Sequence, residues 1–323
     1  MTRIICGVDV ASKSLEARVG QQGAAGSFAN DAEGINALGD FCRTYEIDLV
    51  AMEATGGYEQ QAFAQLSGQG LAIAILNPRA VRQFAQSMGS LEKTDRIDAS
   101  IIAWYAEVKK SQPVCLAPEN QQHLRALVTR LRQLTEMRVV QLNQQRLVTD
   151  RKVQASFKKL LALLARQIGE LEQGIAVLLA KDPLWRELDQ AFRTIKGVAD
   201  RTVARLMAEM PEIGTLSNKT ISKLAGVAPL ANDSGKHQGK RAVRGGRAAV
   251  REILFIVASV VGRHEPDFIA FRERLRSAGK PPKVVRIALA HKLLVRLNAK
   301  AREVRQRQTT LQPNSAVLLA ESC

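Results

Sequence analysis

The chain has 323 residues, with 47 Lys and Arg against 31 Asp and Glu, a formal net charge of +16. Hydrophobic residues make up 46% and charged residues 24%, enough apolar content for a packed core, which excludes a wholly disordered or collagen-like chain; the length fits about two domains. The longest uncharged apolar run, Ile253 to Gly262, is about half of what a membrane-spanning helix needs, and the apolar start from Ile4 to Val10 is interrupted by Asp9. Neither a membrane span nor a signal peptide is expected. Cys6, Cys42, Cys115 and Cys323 stand far apart with no CxxC pair, so neither a disulfide framework nor a zinc site is expected, and a reducing cytoplasm is the expected setting.

The charge is unevenly placed. From Met1 to Pro113 there are 10 basic and 13 acidic residues, and from Val114 to Cys323 there are 37 and 18. A basic surplus confined to the last two thirds points to a polyanion held there, because Lys and Arg attract phosphates and release their counterions. Aromatic residues are only 4%, which argues against a base-stacking platform as the main recognition mode.

In chain order, the first segment predicts a three-stranded meander: Arg3 to Val10, Leu15 to Val19, and Gly26 to Ala29 after a Gly-rich turn. Asn30 or Asp31 then caps a helix to about Glu46. Asp48 to Ala54 is a strand, Gly57 to Leu66 a helix, Leu71 to Leu76 a strand, and Asn77-Pro78 opens another helix. A meander followed by alternating strands and helices predicts a mixed α/β sheet covered by helices over residues 1–113.

Pro113 and Pro118 bracket a linker, and residues 114–186 read as a coiled coil or helical hairpin. Phe157, Leu161, Leu164, Ile168, Leu171, Ile175 and Leu178 fall at alternating steps of four and three, and Leu124, Leu127, Leu131 and Leu134 repeat the spacing. The polar Asp150-Arg151-Lys152 region suits a turn between two antiparallel helices. Such a seam either joins protomers or closes one hairpin on its own domain, and spacing leaves both open. Residues 187–312 read as mostly helical, with a flexible tail over 313–323. The stretch from Thr194 through Lys196-Gly197-Val198 to Thr202 has the form of a helix-hairpin-helix turn, which can hold a DNA phosphate on backbone N–H groups; a plain helix start capped by Asp200 fits the same residues.

Two constellations carry chemistry. Asp9 ends the first strand, Glu53 ends the strand Asp48 to Ala54, and Asp95 and Asp98 stand three apart on one face of a helix running to Glu107. Four carboxylates meeting at one sheet edge repel each other unless divalent cations neutralise them, and oxygen ligands suit Mg²⁺, so a metal-dependent phosphodiester site is one reading. Asp95 and Asp98 alone are also ordinary first-turn helix residues, whereas an aspartate in an apolar strand is costly without a role. The second constellation runs from Asn232 through Asp233, Ser234, Gly235, Lys236, Gly239, Lys240 and Arg241 to Arg244, Arg247 and Arg251. Its spacing is not that of a P-loop. A loop this dense in cations can grip a phosphodiester, with Ser234 either as nucleophile or as a hydrogen-bond donor only. The candidate nucleic-acid contacts are Lys196, Gly197, Lys236, Lys240, Arg241, Arg244 and Arg247.

The residues Gly7-Val8-Asp9, Met52-Glu53-Ala54-Thr55-Gly56, Lys93-Thr94-Asp95-Arg96-Ile97-Asp98-Ala99, the Gly197 hairpin, and Ala225-Gly226-Val227-Ala228-Pro229 leading to Asp233-Ser234-Gly235 resemble, in order, the motifs of the DEDD transposases of bacterial insertion sequences and the related pilin-gene invertases. The resemblance covers most of the chain. It implies a RuvC-like ribonuclease H fold for the N-terminal domain, Asp9, Glu53, Asp95 and Asp98 as Mg²⁺ ligands, and Ser234 of the C-terminal domain as the nucleophile that attacks DNA. It further implies double-stranded donor and target DNA, a structured noncoding guide RNA that pairs with both, a homo-oligomer of two or four chains, no membrane, and a bacterial, nucleoid-associated setting in the cytoplasm. Against this stand a metal-dependent junction endonuclease in which the serine is incidental, and a basic nucleic-acid-binding protein without catalysis. An actin-like ATPase also begins with a strand of the Gly-Val-Asp type, but it needs further phosphate loops that the sequence does not show.

Overall fold

Alternation in the first strand decides how the N-terminal sheet is covered. In β1 (Ile5–Val10), Cys6, Val8 and Val10 face one side and Ile5, Gly7 and Asp9 the other. β2 (Ser14–Val19) and β3 (Ala25–Ala29) follow as an antiparallel meander, whereas β4 (Leu49–Glu53) and β5 (Ile73–Leu76) run parallel to β1, giving the order β3-β2-β1-β4-β5. Parallel neighbours need crossovers, which α1 (Ala32–Thr44) and α2 (Glu59–Gly68) supply. Asp31 is the cap of α1, accepting the Gly34 N–H at 2.9 Å.

Cys6, Val8, Val10, Val50, Met52 and Ile73 pack with Ile35, Leu38 and Cys42 of α1 and Ala62 and Leu66 of α2. The opposite face, with Ile5, Leu49, Ala51, Ala74 and Leu76, is covered by Val81 and Ala85 of α3 (Pro78–Ser87) and by Ile101, Ile102, Ala103 and Ala106 of α4 (Asp95–Val108). α4 lies on the backbone of β1 because Gly7 has no side chain: a Cβ there would stand 2.0 Å from the Ala99 carbonyl oxygen and 2.6 Å from the Ala103 nitrogen. The chain leaves beside β5, where the Val114 N–H donates to the Ile73 carbonyl at 2.7 Å.

The computed structural model describes residues 3–89, 95–231, 233–234, 237–239 and 241–311. Where the sequence suggests three parts, the chain divides into two units, Met1–Ala117 and Pro118–Cys323. The reason is a shared core. α5 (Glu119–Gln145) and α6 (Arg151–Lys181) form a hairpin in which Leu164, Ile168 and Ile175 of the seam are buried with Leu124, Val128, Leu131 and Leu134, and this cluster continues into the later helices. Leu164, Ile168 and Ile175 are therefore covered by α5 of the same chain, while Phe157, Leu161, Leu171 and Leu178 of the seam stay partly exposed. Met137, Val139, Val140, Leu147, Leu160 and Leu163 of the hairpin stay exposed.

The rest of this unit comprises α7 (Pro183–Arg193), α8 (Asp200–Glu209), α9 (Asn218–Leu224), the short strands β6 (Asp233–Ser234) and β7 (His237–Gln238), α10 (Ala248–His264), α11 (Pro266–Ser277) and α12 (Pro282–Leu311). α12 buries Leu289, Leu293, Leu297, Ala301 and Val304 at steps of four and three. Its buried Asn298 accepts the Gly214 N–H at 2.8 Å and donates to the Leu216 carbonyl at 3.0 Å and Asn218 Oδ1 at 2.8 Å, pinning the chain ahead of α9. The expected tail over 313–323 lies outside the described residues. No helix among the described residues is long and apolar enough to cross a membrane.

Candidate active site and nucleic-acid interface

The pairing of β1 with β4 places Ile5 opposite Leu49 and Gly7 opposite Ala51. Carried on by two residues, that register sets Asp9 level with Glu53 at the C-terminal ends of adjacent parallel strands, on the face covered by α3 and α4. Asp98 reaches the same place from α4, one residue before the Ala99 that touches Gly7. Asp9, Glu53 and Asp98, all half-buried, line one cleft of about 490 Å³, with Thr55, Pro78, Val81, Arg82, Ala85 and Ile101 as its other walls. Asp95 opens α4 three residues earlier, and its side chain lies outside the described residues.

The donor set is carboxylate oxygen throughout, which is what hard divalent cations require. Among the described residues no three ligands close tightly enough to cage an ion. Mg²⁺ characteristically takes one or two carboxylates and completes its shell with water and substrate phosphate, so an open carboxylate cleft fits it.

The turn after Glu53 is held by a residue the sequence reading missed. Glu59 Oε2 accepts the Thr55 N–H at 3.0 Å, the Gly57 N–H at 2.9 Å and the Thr55 hydroxyl at 3.3 Å, across a turn in which Gly56 and Gly57 have φ of +75° and +118°. Its signal is legible afterwards: a carboxylate at the start of a helix, just behind a Thr-Gly-Gly turn whose N–H groups need an acceptor. Arg82 was also missed, and no spacing marks it.

In the second unit, Ser234 lies in β6 opposite His237 of β7. Below it the hairpin is closed by the Leu230 N–H donating to the Ala242 carbonyl at 3.0 Å. Two glycines then let backbone meet backbone: a Cβ on Gly246 (φ +66°) would stand 2.4 Å from the Gly226 nitrogen, and one on Gly226 (φ +68°) 2.3 Å from the Gly245 carbonyl oxygen. Arg251 donates to that carbonyl at 2.5 Å.

Arg247, expected among the nucleic-acid contacts, is committed inside the fold. Its guanidinium holds both carboxylate oxygens of Glu212 at 2.6 Å and the Glu209 carbonyl at 2.8 Å, and its N–H donates to the Leu224 carbonyl at 2.8 Å. Burial works to raise the Glu212 pKa, but the hydrogen bond and charge of Arg247, with a backbone bond, outweigh it and hold the carboxyl below its ordinary value. Arg241 and Arg244 are exposed, with Arg241 3.9 Å from the Asp233 carboxylate. Gly235, Lys236 and Lys240 lie outside the described residues.

The expected hairpin turn lies between α7 and α8. Gly197 has φ +99°, and a Cβ there would stand 2.9 Å from Val260 Cγ1. The Lys196 N–H donates to Glu265 Oε1 at 2.7 Å. Ala199, not Asp200, is the N-cap of α8, and no side chain caps it; Asp200 is the first helical residue and pairs with Arg193. The alternative in which Asp200 caps the helix is thereby corrected.

A family model described as a transposase, of the DEDD IS110 type, matches residues 6–153, and a second, described as transposase of the IS116/IS110/IS902 family, matches residues 189–273. The pilin gene-inverting proteins of Moraxella bovis and Moraxella lacunata are each 25% identical to this chain over 310 residues, covering 91% of it and 94% of their own length. Among solved structures, Thermus thermophilus RuvC aligns at TM-score 0.25 and 15% identity, over 34% of this chain and 99% of that one.

Proposed function

The chain belongs to the IS116/IS110/IS902 family of transposases and is by that membership a DNA recombination enzyme; from this premise we propose that it moves an insertion sequence by cutting and rejoining DNA through a phosphoester on Ser234. The observation that carries the reading is the single cleft shared by Asp9, Glu53 and Asp98. The strand order β3-β2-β1-β4-β5, antiparallel on one side of β1 and parallel on the other, supports a ribonuclease H-like, RuvC-like domain with its carboxylates at the strand ends. With Asp95 as the fourth ligand, these anions repel one another and so favour Mg²⁺ at the cleft. When bound, the ion supplies Lewis-acid polarisation of a phosphoryl oxygen and stabilises the leaving oxygen.

The chain's own residues then have distinct tasks. The Ser234 Oγ gives up its hydroxyl proton and attacks phosphorus; an O–P bond to serine forms as one O–P bond of the DNA strand breaks, and the departing DNA oxygen takes up one proton, so the count balances. Bond energy is conserved in the protein–DNA phosphoester, so a second DNA hydroxyl can reverse the step and join strands without ATP. Lys236, Lys240, Arg241 and Arg244 offset the charge that builds on phosphorus oxygens. The Lys196 ammonium and the Gly197 backbone hold a DNA phosphate at the turn ahead of α8, the Lys196 N–H being taken by Glu265. The basic surplus after residue 113, beside so few aromatics, supports a structured noncoding guide RNA as base-reading partner. The exposed apolar residues of the α5–α6 hairpin support a homo-oligomer, a dimer or tetramer.

The test is incubation of the full chain with DNA carrying the element's ends, Mg²⁺ and the flanking noncoding RNA, followed by denaturing electrophoresis. A covalent protein–DNA adduct that Ser234→Ala and Asp9→Asn both lose is the expected result. Metal-dependent cuts without an adduct would replace the serine mechanism by a junction endonuclease, and binding without either would remove catalysis.

A further inference from the structure

α3 lays Pro78, Val81 and Ala85 along the wall of the acidic cleft, and Arg82 stands on the same wall, exposed to solvent. Among the described residues it is the one cation that lines the cleft. It makes no hydrogen bond or ion pair among the described residues. Asp9, Glu53 and Asp98 each have interactions of their own, and the guanidinium on the same wall takes no forked contact with them. Arg82 shares the cleft with three carboxylates and bridges none of them, so its five donors remain for an anion that enters from solvent.

The surroundings say which anion. The segment Met1 to Pro113 has more acidic than basic residues, so a DNA strand approaching the carboxylates meets repulsion from the unit as a whole. A local cation at the cleft wall offsets that repulsion at one phosphate only, and thereby sets register along the strand. Arginine suits this task better than lysine because its planar fork matches two phosphate oxygens at once. We propose that Arg82 grips a DNA phosphate next to the scissile one, so that the strand is fixed between the carboxylate site and the α3 guanidinium. The proposal rests on the reading of this cleft as the DNA-cutting site.

The experiment is a neutral-linkage scan. Single methylphosphonates are placed through the element-end DNA, one per substrate, and adduct formation is timed with wild type, Arg82→Gln and Arg82→Lys in the presence of the flanking RNA. In wild type, neutralising the phosphate gripped by Arg82 should slow the reaction about ten- to a hundredfold, the size of a lost charge-assisted bond. Arg82→Gln should be slow by a similar factor on unmodified DNA and indifferent to the neutral linkage at that one position, while keeping its response at every other. Arg82→Lys should fall between. A variant rate within twofold of wild type, or scans that differ only by a uniform factor, would overturn the proposal. So would sensitivity that appears only when neutral linkages are placed in the RNA.

Two controls keep the outcomes separate. Calorimetric Mn²⁺ binding and the thermal melt of Arg82→Gln should match wild type; loss of either would make Arg82 a structural residue and overturn the proposal. If wild type itself neither cuts nor forms an adduct, the recombinase reading fails. The same scan read by DNA affinity instead of rate then still decides whether Arg82 contacts that phosphate.

Discussion

Replacing Gly7 by Ala tests how the acidic cleft is assembled. The added methyl would stand 2.0 Å from the Ala99 carbonyl oxygen, 2.6 Å from the Ala103 nitrogen and 3.1 Å from the Ala103 Cβ, all on α4. Ordinary contact lies at about 3.5 Å, so α4 must retreat by more than about 1 Å or tilt about this point. Overpacking of this kind costs about 1–3 kcal/mol, which for a domain of this size lowers the melting temperature by roughly 5–15 °C. The effect on chemistry should be larger than the effect on stability. Asp98 is the residue next to Ala99, so the retreat carries it away from Asp9 and Glu53, and a displacement of about 1 Å in such a site lowers rate on the order of a hundredfold. Differential scanning calorimetry, Mn²⁺ titration and single-turnover DNA cutting measure the three consequences. Gly68→Ala is the control, since a Cβ there meets nothing within 4 Å and should be neutral or slightly stabilising. A Gly7→Ala protein with wild-type melt, metal binding and cutting rate would refute the argument that this glycine brings the carboxylates together.

Three further outcomes follow from the second unit. Glu212→Gln should loosen the base of the Ser234 hairpin and lower stability by about 1 kcal/mol, modest because the pair is partly solvent-exposed. Because the Glu212 carboxyl titrates lower in the folded chain than its ordinary value, its contribution is present above about pH 4 and lost as pH falls through the lowered value; melts taken across that acid range should fall more steeply for wild type than for Glu212→Gln. Asn298→Ala strips the Gly214 N–H of its buried partner, while the Leu216 carbonyl keeps the Arg302 guanidinium at 3.1 Å, and should cost about 1–3 kcal/mol, read by urea unfolding. Leu164→Lys with Leu171→Lys should lower the melt while leaving the light-scattering mass unchanged; a dissociated assembly with an unchanged melt would return the seam to a contact between protomers.

Much of the N-terminal sheet was legible because its burial pattern is local. The apolar runs of β1, β4 and β5, buried on both faces, and the alternation in β2 mark these strands within a few residues. The level placement of Asp9 and Glu53 needed the parallel register of β1 with β4, and no motif contains a register. The heptad steps of α6 were plain, but spacing cannot say which chain supplies the covering helix, and here α5 does. Arg247 reads from composition as one more cation for phosphate. Its fork belongs to Glu212, 35 residues earlier, and pairing between distant loops leaves no trace in spacing. Gly226 and Gly246 read as loop punctuation, whereas the structure uses them to bring two backbones into contact. Arg82 was invisible for the opposite reason: a surface arginine breaks no pattern.

β1 carries Asp9 and α4 carries Asp98, so the cleft is divided between the first strand of the chain and the last helix of its unit. During synthesis the meander and both crossover helices emerge before α4 exists. Until Ile102, Ala103 and Ala106 arrive, the sheet face of Ile5, Leu49, Ala51 and Ala74 has half its cover missing. A nascent or stalled chain that ends before α4 is therefore a sticky, catalytically empty intermediate, a client for chaperones and proteases. The carboxylate cleft comes into being only when its domain is complete, so the cell does not meet it on an unfinished polypeptide.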